Sequence, residues 1–183
     1  CSSQKDFDNR DQICNNALDD KNAIANSDET DLIETAGVIY MSQEVSLGVV
    51  GLGMGMNRAN QVASTEGAKL VAVADLDESR CQAAVEKFGC ESHLDANEMF
   101  ERDDIDATFI MLPSGLHAKF GIEAANHGKH VITTKPMDVS LENCDALVNA
   151  CAHNNVKLLV DFQERYGTKN RRLQHAVKSG LIG

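Results

Sequence analysis

From Ser46 onward the sequence alternates short apolar runs with amphipathic stretches roughly every 20–30 residues, and this alternation constrains the fold more than any other feature. The apolar runs are Ser46–Val50, Lys69–Ala74, a short piece near Cys90–His93, Ala107–Leu112, His130–Thr134 and Val156–Val160. Helical patterns fall between them: about 57–65, from Asp77 to Gly89, about 96–101, 116–127, from Ser140 through Cys151, and about 169–178. A strand followed by a crossover helix cannot close into a hairpin, so its successor runs parallel to it and the sheet is covered on both faces. The expected class is α/β, a doubly wound parallel sheet.

Local signals support the boundaries. Asp77 and Ser140 stand where a side chain can accept from first-turn amides, and Gly89 and Gly128 follow the last periodic residue of their helices. Cys81, Ala84, Val85 and Phe88 form one helical face, and Leu141, Cys144, Leu147, Val148 and Cys151 are expected to point inward from another. Trp is absent and aromatics make up only 4%, so the core is aliphatic, as suits helices packed on a parallel sheet.

Residues 1–40 differ in kind. They carry nine acids against three bases within a chain of formal net charge −11, and they are rich in Asn, Asp and Ser. Such a segment buries too little apolar surface to offset its ordering entropy, so a disordered acidic leader is expected over 1–44. Met41 reads as a plausible start of the working protein; Cys1-Ser2-Ser3 is alternatively similar to the mature end of a bacterial lipoprotein. A domain over 45–165 is expected to follow, and then a helical segment over 166–183. The negative charge argues against a nucleic-acid partner, and no run of about 18 apolar residues offers a membrane span. The six cysteines have no paired or metal-ligand spacing and read as reduced thiols of a cytoplasmic protein, with no metal site expected.

Gly51-Leu52-Gly53-Met54-Gly55-Met56 lies directly after the first strand and opens a helix. Gly51 permits a tight turn, Gly53 lets a pyrophosphate approach the backbone, and the helix N-terminus offers unpaired N–H groups. The pattern departs from the dinucleotide fingerprint at its third glycine, due at Met56 but present one place early as Gly55. Asp75 ends the second strand 20 residues beyond Gly55, where a carboxylate accepts hydrogen bonds from the ribose hydroxyls of NAD and repels the 2′-phosphate of NADP. NAD is therefore expected over NADP in a Rossmann-like site. Arg80 could pair with a 2′-phosphate but is read as solvated early in its helix.

Two further strand ends carry chemistry. Pro113 stops a strand, Ser114 can hydrogen-bond a phosphate or ribose, and His117 is expected in the first turn of the next helix, facing the site. Lys135 ends another apolar strand and is followed by Pro136, which restricts its backbone to an extended form.

The runs Phe109–His117 and Glu123–Pro136, with Val160–Tyr166 and Ser179–Gly183, resemble the Gfo/Idh/MocA family, the glucose–fructose oxidoreductase and inositol 2-dehydrogenase group. The resemblance spans about 45–183. It implies that Lys135-Pro136 matches the family's Glu-Lys-Pro motif, whose lysine is catalytic beside the nicotinamide, with Thr134 in place of the glutamate. It places Gly51, Gly53, Met54, Gly55, Asp75, Pro113, Ser114, His117, Lys135 and Pro136 at cofactor-contacting positions. It further implies that 166–183 is a crossover helix leading to an absent second domain, which supplies a catalytic Asp/His pair and forms a homo-oligomer.

The implied reaction is oxidation of a secondary alcohol on a sugar, cyclitol or derivative, with Lys135 as base or as proton relay to a histidine of the second domain. Two alternatives stand beside it: a nucleotide-binding module without catalysis of its own, and a relative that uses NAD transiently for non-redox glycoside chemistry.

Overall fold

The computed structural model describes residues 44–182, so the expectations for the leader, for Cys1 and for Cys14 lie outside the described residues. Six strands run as β1 (Val45–Val50), β2 (Ala68–Ala74), β3 (Glu91–His93), β4 (Ala107–Ile110), β5 (His130–Thr134) and β6 (Leu158–Asp161). Between and after them lie α1 (Leu52–Ala63), α2 (Glu78–Phe88), α3 (Ala96–Phe100), α4 (His117–Asn126), α5 (Leu141–His153) and α6 (Thr168–Lys178). The sheet order is β3-β2-β1-β4-β5-β6 and every pairing is parallel. The chain winds outward from β1 to β3, returns across β1, and winds outward again to β6. The strand order therefore reverses between β1 and β4, and the crevice at the carboxyl ends of those two strands is where such a sheet receives a ligand.

Alternation along each strand sends side chains to two separate cores. Val49 and Val73 pack with Leu52, Ala59 and Val62 of α1 and with Cys81 and Ala84 of α2. Val50, Ala72, Ala74 and Ile110 face the other way, onto Met99 and Phe100 of α3, Ala118 and Ala124 of α4, and Leu147 of α5. Full burial of side chains such as Phe100, Leu52 and Ile110 stabilises the fold by roughly 1.5–3 kcal/mol each.

The expected caps are present: the Asp77 side chain accepts from the Ser79 and Arg80 amides, Ser140 accepts from Asn143, and Gly89 adopts the left-handed conformation. Three expectations need correction. The helix expected from about residue 57 begins at Leu52, because the glycine run is itself its first turn. In α5, Leu147 and Cys151 are buried but Leu141 and Val148 are exposed, since this outermost helix packs through a narrow stripe against α4 and the sheet edge. The last strand lies at Leu158–Asp161 rather than Val156–Val160, its start displaced by the turn that bonds the Val156 amide to the Cys151 carbonyl.

Candidate cofactor site

The chain leaves β1 through Gly51, whose φ is +86° and whose amide donates to the Ala74 carbonyl at 2.7 Å. A Cβ at Gly51 would stand 2.8 Å from the Met111 carbonyl oxygen, so both conformation and space demand glycine. Helix α1 then starts with no side-chain cap and no acid in its first turn. Its first amides have no partner within the helix, and that of Leu52 is taken by the Asp75 carboxylate. Gly53 and Met54 line the adjoining cavity. A Cβ at Gly53 would have only the Arg80 guanidinium nearby, at 3.7 Å, which leaves the backbone open to a ligand.

Gly55 is buried beneath this surface. A Cβ there would stand 3.1 Å from both Val49 Cγ1 and Met111 Cβ, so Gly55 lets α1 lie close on β1 and the segment after β4. The close-packing role that the fingerprint gives its third glycine thus falls one residue early, and Met56 packs at the edge of the core instead.

Asp75 follows β2. One carboxylate oxygen accepts from the Leu52 amide at 2.5 Å and the other from the Asp77 amide at 2.9 Å. The acid thereby joins the start of α1 to the entry of α2, and each oxygen keeps a further lone pair. The Arg80 guanidinium stands 3.6 Å from Asp75 and 3.4 Å from Asp77, with its side chain 51% exposed. Arg80 is therefore half-exposed, as expected early in its helix, and also part of the cavity wall. Asp77 itself sits below its ordinary carboxylate value, chiefly through its hydrogen bond from the Ser79 hydroxyl.

These groups border a cavity of about 710 Å³ with Leu76, Leu94, Met111, Leu112, Pro113 and Phe120 among its other walls. Leu76 is 92% exposed although only Asp75 separates it from the buried end of β2. Exposed leucines just past β2 and β3 form an apolar slot beside a carboxylate and the start of a helix. That combination suits a flat aromatic ring linked through a polyhydroxylated sugar to an anion. Leu76 and Leu94 were not anticipated from the sequence; the available signal was an apolar residue one or two places past each strand end.

Gly51, Gly53, Met54, Asp75 and Pro113 thus come together around one cavity, with Gly55 beneath it. The other candidates fall further along the carboxyl edge. Ser114 opens a short 3-10 turn over Ser114–Leu116. Lys135 is exposed immediately past β5, and the Lys135–Pro136 bond is cis. His117 does begin α4, but the expectation that it faces the site is not met: it is 1% exposed and turned inward. Its Nδ1 lies 2.8 Å from the Pro136 carbonyl oxygen and its Nε2 2.7 Å from that of Leu112.

Beside His117 sits Asp138, a buried carboxylate that the sequence reading passed over. It accepts from the amides of Ala118 (3.1 Å), Val139 (2.8 Å) and Ser140 (3.3 Å) and from the Asn143 side chain (3.0 Å). Burial alone would raise its pKa, but the hydrogen bonds, led by that from Asn143, prevail and hold the carboxyl below its ordinary value. Burial raises the thiols of Cys81, Cys90 and Cys151, which keeps them neutral core groups. Among the described residues no cluster of metal-ligating side chains occurs, and no helix is long and apolar enough to cross a membrane.

Comparison with known proteins agrees with this geometry. Residues 45–162 match the Gfo/Idh/MocA model, described as an oxidoreductase family with an NAD-binding Rossmann fold. An inositol 2-dehydrogenase of Rubrobacter xylanophilus is 34% identical over 145 residues, which are 78% of this chain and 42% of that protein. The structure of scyllo-inositol dehydrogenase from Lactobacillus casei, with bound NAD(H) and scyllo-inositol, superposes with a TM-score of 0.72 at 32% identity, covering 77% of this chain and 43% of that one. A 3-ketoreductase from Actinomadura kijaniata, in complex with TDP-benzene and NADP, superposes with a TM-score of 0.71 at 25% identity over 77% of this chain and 45% of its own. The chain thus spans less than half the length of each of these relatives.

Proposed function

Since the chain belongs to the Gfo/Idh/MocA oxidoreductase family, with its NAD-binding Rossmann fold, we propose that it serves as the cofactor-binding part of a dehydrogenase acting on a secondary alcohol of a sugar or cyclitol. The observation that carries this reading is the start of α1, with the open backbone of Gly53, set beside the Asp75 carboxylate in one cavity.

The residues fit a nicotinamide dinucleotide. The first-turn amides of α1 would hold the pyrophosphate, the free lone pairs of Asp75 the adenosine ribose, and the slot between Leu76 and Leu94 the adenine. NAD is the preferred form in this reading, because a 2′-phosphate would meet the Asp75 carboxylate; Arg80, 3.6 Å away, softens that repulsion. When bound, the nicotinamide supplies the acceptor for hydride. Ser114 and Pro136 would contact the cofactor between Pro113 and Lys135. Lys135 takes or relays the hydroxyl proton of the substrate, and Thr134 stands where the motif has a carboxylate, which leaves the amine without that neighbour. The remaining catalytic groups and the substrate's far wall belong to a second domain, through which the enzyme forms a homo-oligomer.

The test is a titration of this chain with NAD and NADP, followed by turnover of inositols and simple sugars in an enzyme that joins it to a second domain. Net accumulation of NADH with an inositol or sugar supports the reading. Cofactor binding without any net reduction would favour the non-catalytic module or transient use of NAD in non-redox chemistry.

A further inference from the structure

We propose that His117 and Asp138 are positioning residues that lock the Lys135–Pro136 turn to the start of α4, a proposal that rests on the reading of Lys135 as the proton-handling group. Lys135 is exposed and lies just past the last paired residue of its strand, Thr134, so β5 fixes its backbone from one side only. What fixes the other side is the pair of contacts that reach back from α4. The His117 ring spans the carbonyl oxygens of Pro136 and Leu112, 24 residues apart in sequence. One residue on, the Ala118 amide donates to Asp138.

The physical case rests on burial and on orphaned groups. Helix α4 has no side-chain cap of its own, since its N-cap is Leu116. Asp138, arriving from the far side of the Lys135 turn, accepts from an amide in that first turn and places a carboxylate at the positive end of the helix. The turn and the helix therefore satisfy one another. His117 is fully buried, and both its ring nitrogens point at carbonyl oxygens, to which the ring donates by one tautomer or the other, or by both nitrogens when doubly protonated. Neither residue lines the cavity, so neither is needed there for contact with a ligand. Their shared effect is to hold Pro136, and with it Lys135, at a set distance from the Leu112–Pro113 segment that does line it. Displacement of a reacting group by about 1 Å can cost on the order of 100-fold in rate, so such a lock bears on turnover more than on binding.

The two ties can be separated. In His117→Asn the amide occupies the place of Nδ1 and reaches the Pro136 carbonyl alone; in His117→Gln it occupies the place of Nε2 and reaches Leu112 alone. Lysines of this chain are labelled by reductive methylation with 13C, and the Lys135 resonance is identified by its loss in Lys135→Met. The expected result is that His117→Gln shifts or broadens the Lys135 resonance while His117→Asn leaves it close to the parent. In the complete enzyme, His117→Gln then lowers kcat by roughly 10- to 100-fold with the Kd for NAD changed less than about 3-fold. A Lys135 resonance that is indifferent to both variants, or equally altered by both, overturns the lock. Should either variant fail to fold, amide exchange in the parent decides: the Ala118 amide is protected if Asp138 holds it, and exchange as fast as at Gly53 overturns the proposal. Because the resonance and the exchange rate are read without turnover, they stand or fall independently of whether Lys135 is catalytic.

Discussion

The Arg80 guanidinium stands 3.6 Å from the Asp75 carboxylate, while the same carboxylate oxygen takes the Leu52 amide at 2.5 Å. One acid thus ties the glycine turn at the start of α1 and, in the proposed reading, carries the charge that selects the ribose, with a half-exposed cation beside it. Asp75→Ser should remove the repulsion and leave Arg80 free to pair with a 2′-phosphate, so preference should move towards NADP. Arg80→Ala should sharpen preference for NAD. Paired titrations with NAD and NADP check both; tighter NADP binding by the parent chain would exclude the assignment.

The three loop glycines should separate into two kinds. Gly53→Ala meets nothing closer than 3.7 Å, so stability should change by less than about 0.5 kcal/mol while the dinucleotide loses its close approach to the backbone. Gly55→Ala presses a methyl against Val49 and Met111 and should cost about 1–3 kcal/mol. Gly51→Ala adds a strained φ and a clash with a backbone carbonyl, and should destabilise more than Gly55→Ala. Denaturant unfolding of the three variants, set beside their NAD affinities, tests the ranking.

Lys135→Met in the complete enzyme should lower turnover roughly 100-fold or more, if the amine serves as base or relay. NAD affinity should change little, because the cavity that would hold the adenosine half does not include Lys135. Single-turnover hydride transfer is the direct measurement. Near-normal rates would make the lysine a surface charge.

Asp138 makes stability dependent on acid. Its carboxyl is held below the ordinary value of 3.8 in the folded chain, so its contribution is complete above that value and fades as pH falls through the lower folded one. Asp138→Asn should therefore be less stable than the parent near neutrality, and the gap between their melting temperatures should close below about pH 4. A gap that stays constant from pH 7 to pH 3 would mean that the carboxylate's charge is immaterial.

The sequence by itself determined the layered fold, because strand and helix periods, Asp77 and Ser140 as caps, and Gly89 as a left-handed stop are all local properties. It also placed the glycine turn and Asp75 beside one another, since a glycine run bounded by strand and helix, with an acid at the end of the neighbouring strand, leaves few other geometries. Tertiary structure alone decided the rest. Periodicity assigns a residue to a face but not to a neighbour, so His117 read as site-facing until the carbonyls of Leu112 and Pro136 claimed its ring. Asp138 had no signal at all, because its partner amide lies 20 residues earlier and is an orphan only once α4 begins at His117. Arg80 and Leu76 became walls of a cavity only when β2 and β1 were laid side by side, and Leu141 and Val148 fell outside the narrow buried stripe of Leu147 and Cys151. What a side chain can do follows from its type and its local period; what it touches depends on distant segments that only the folded chain brings together.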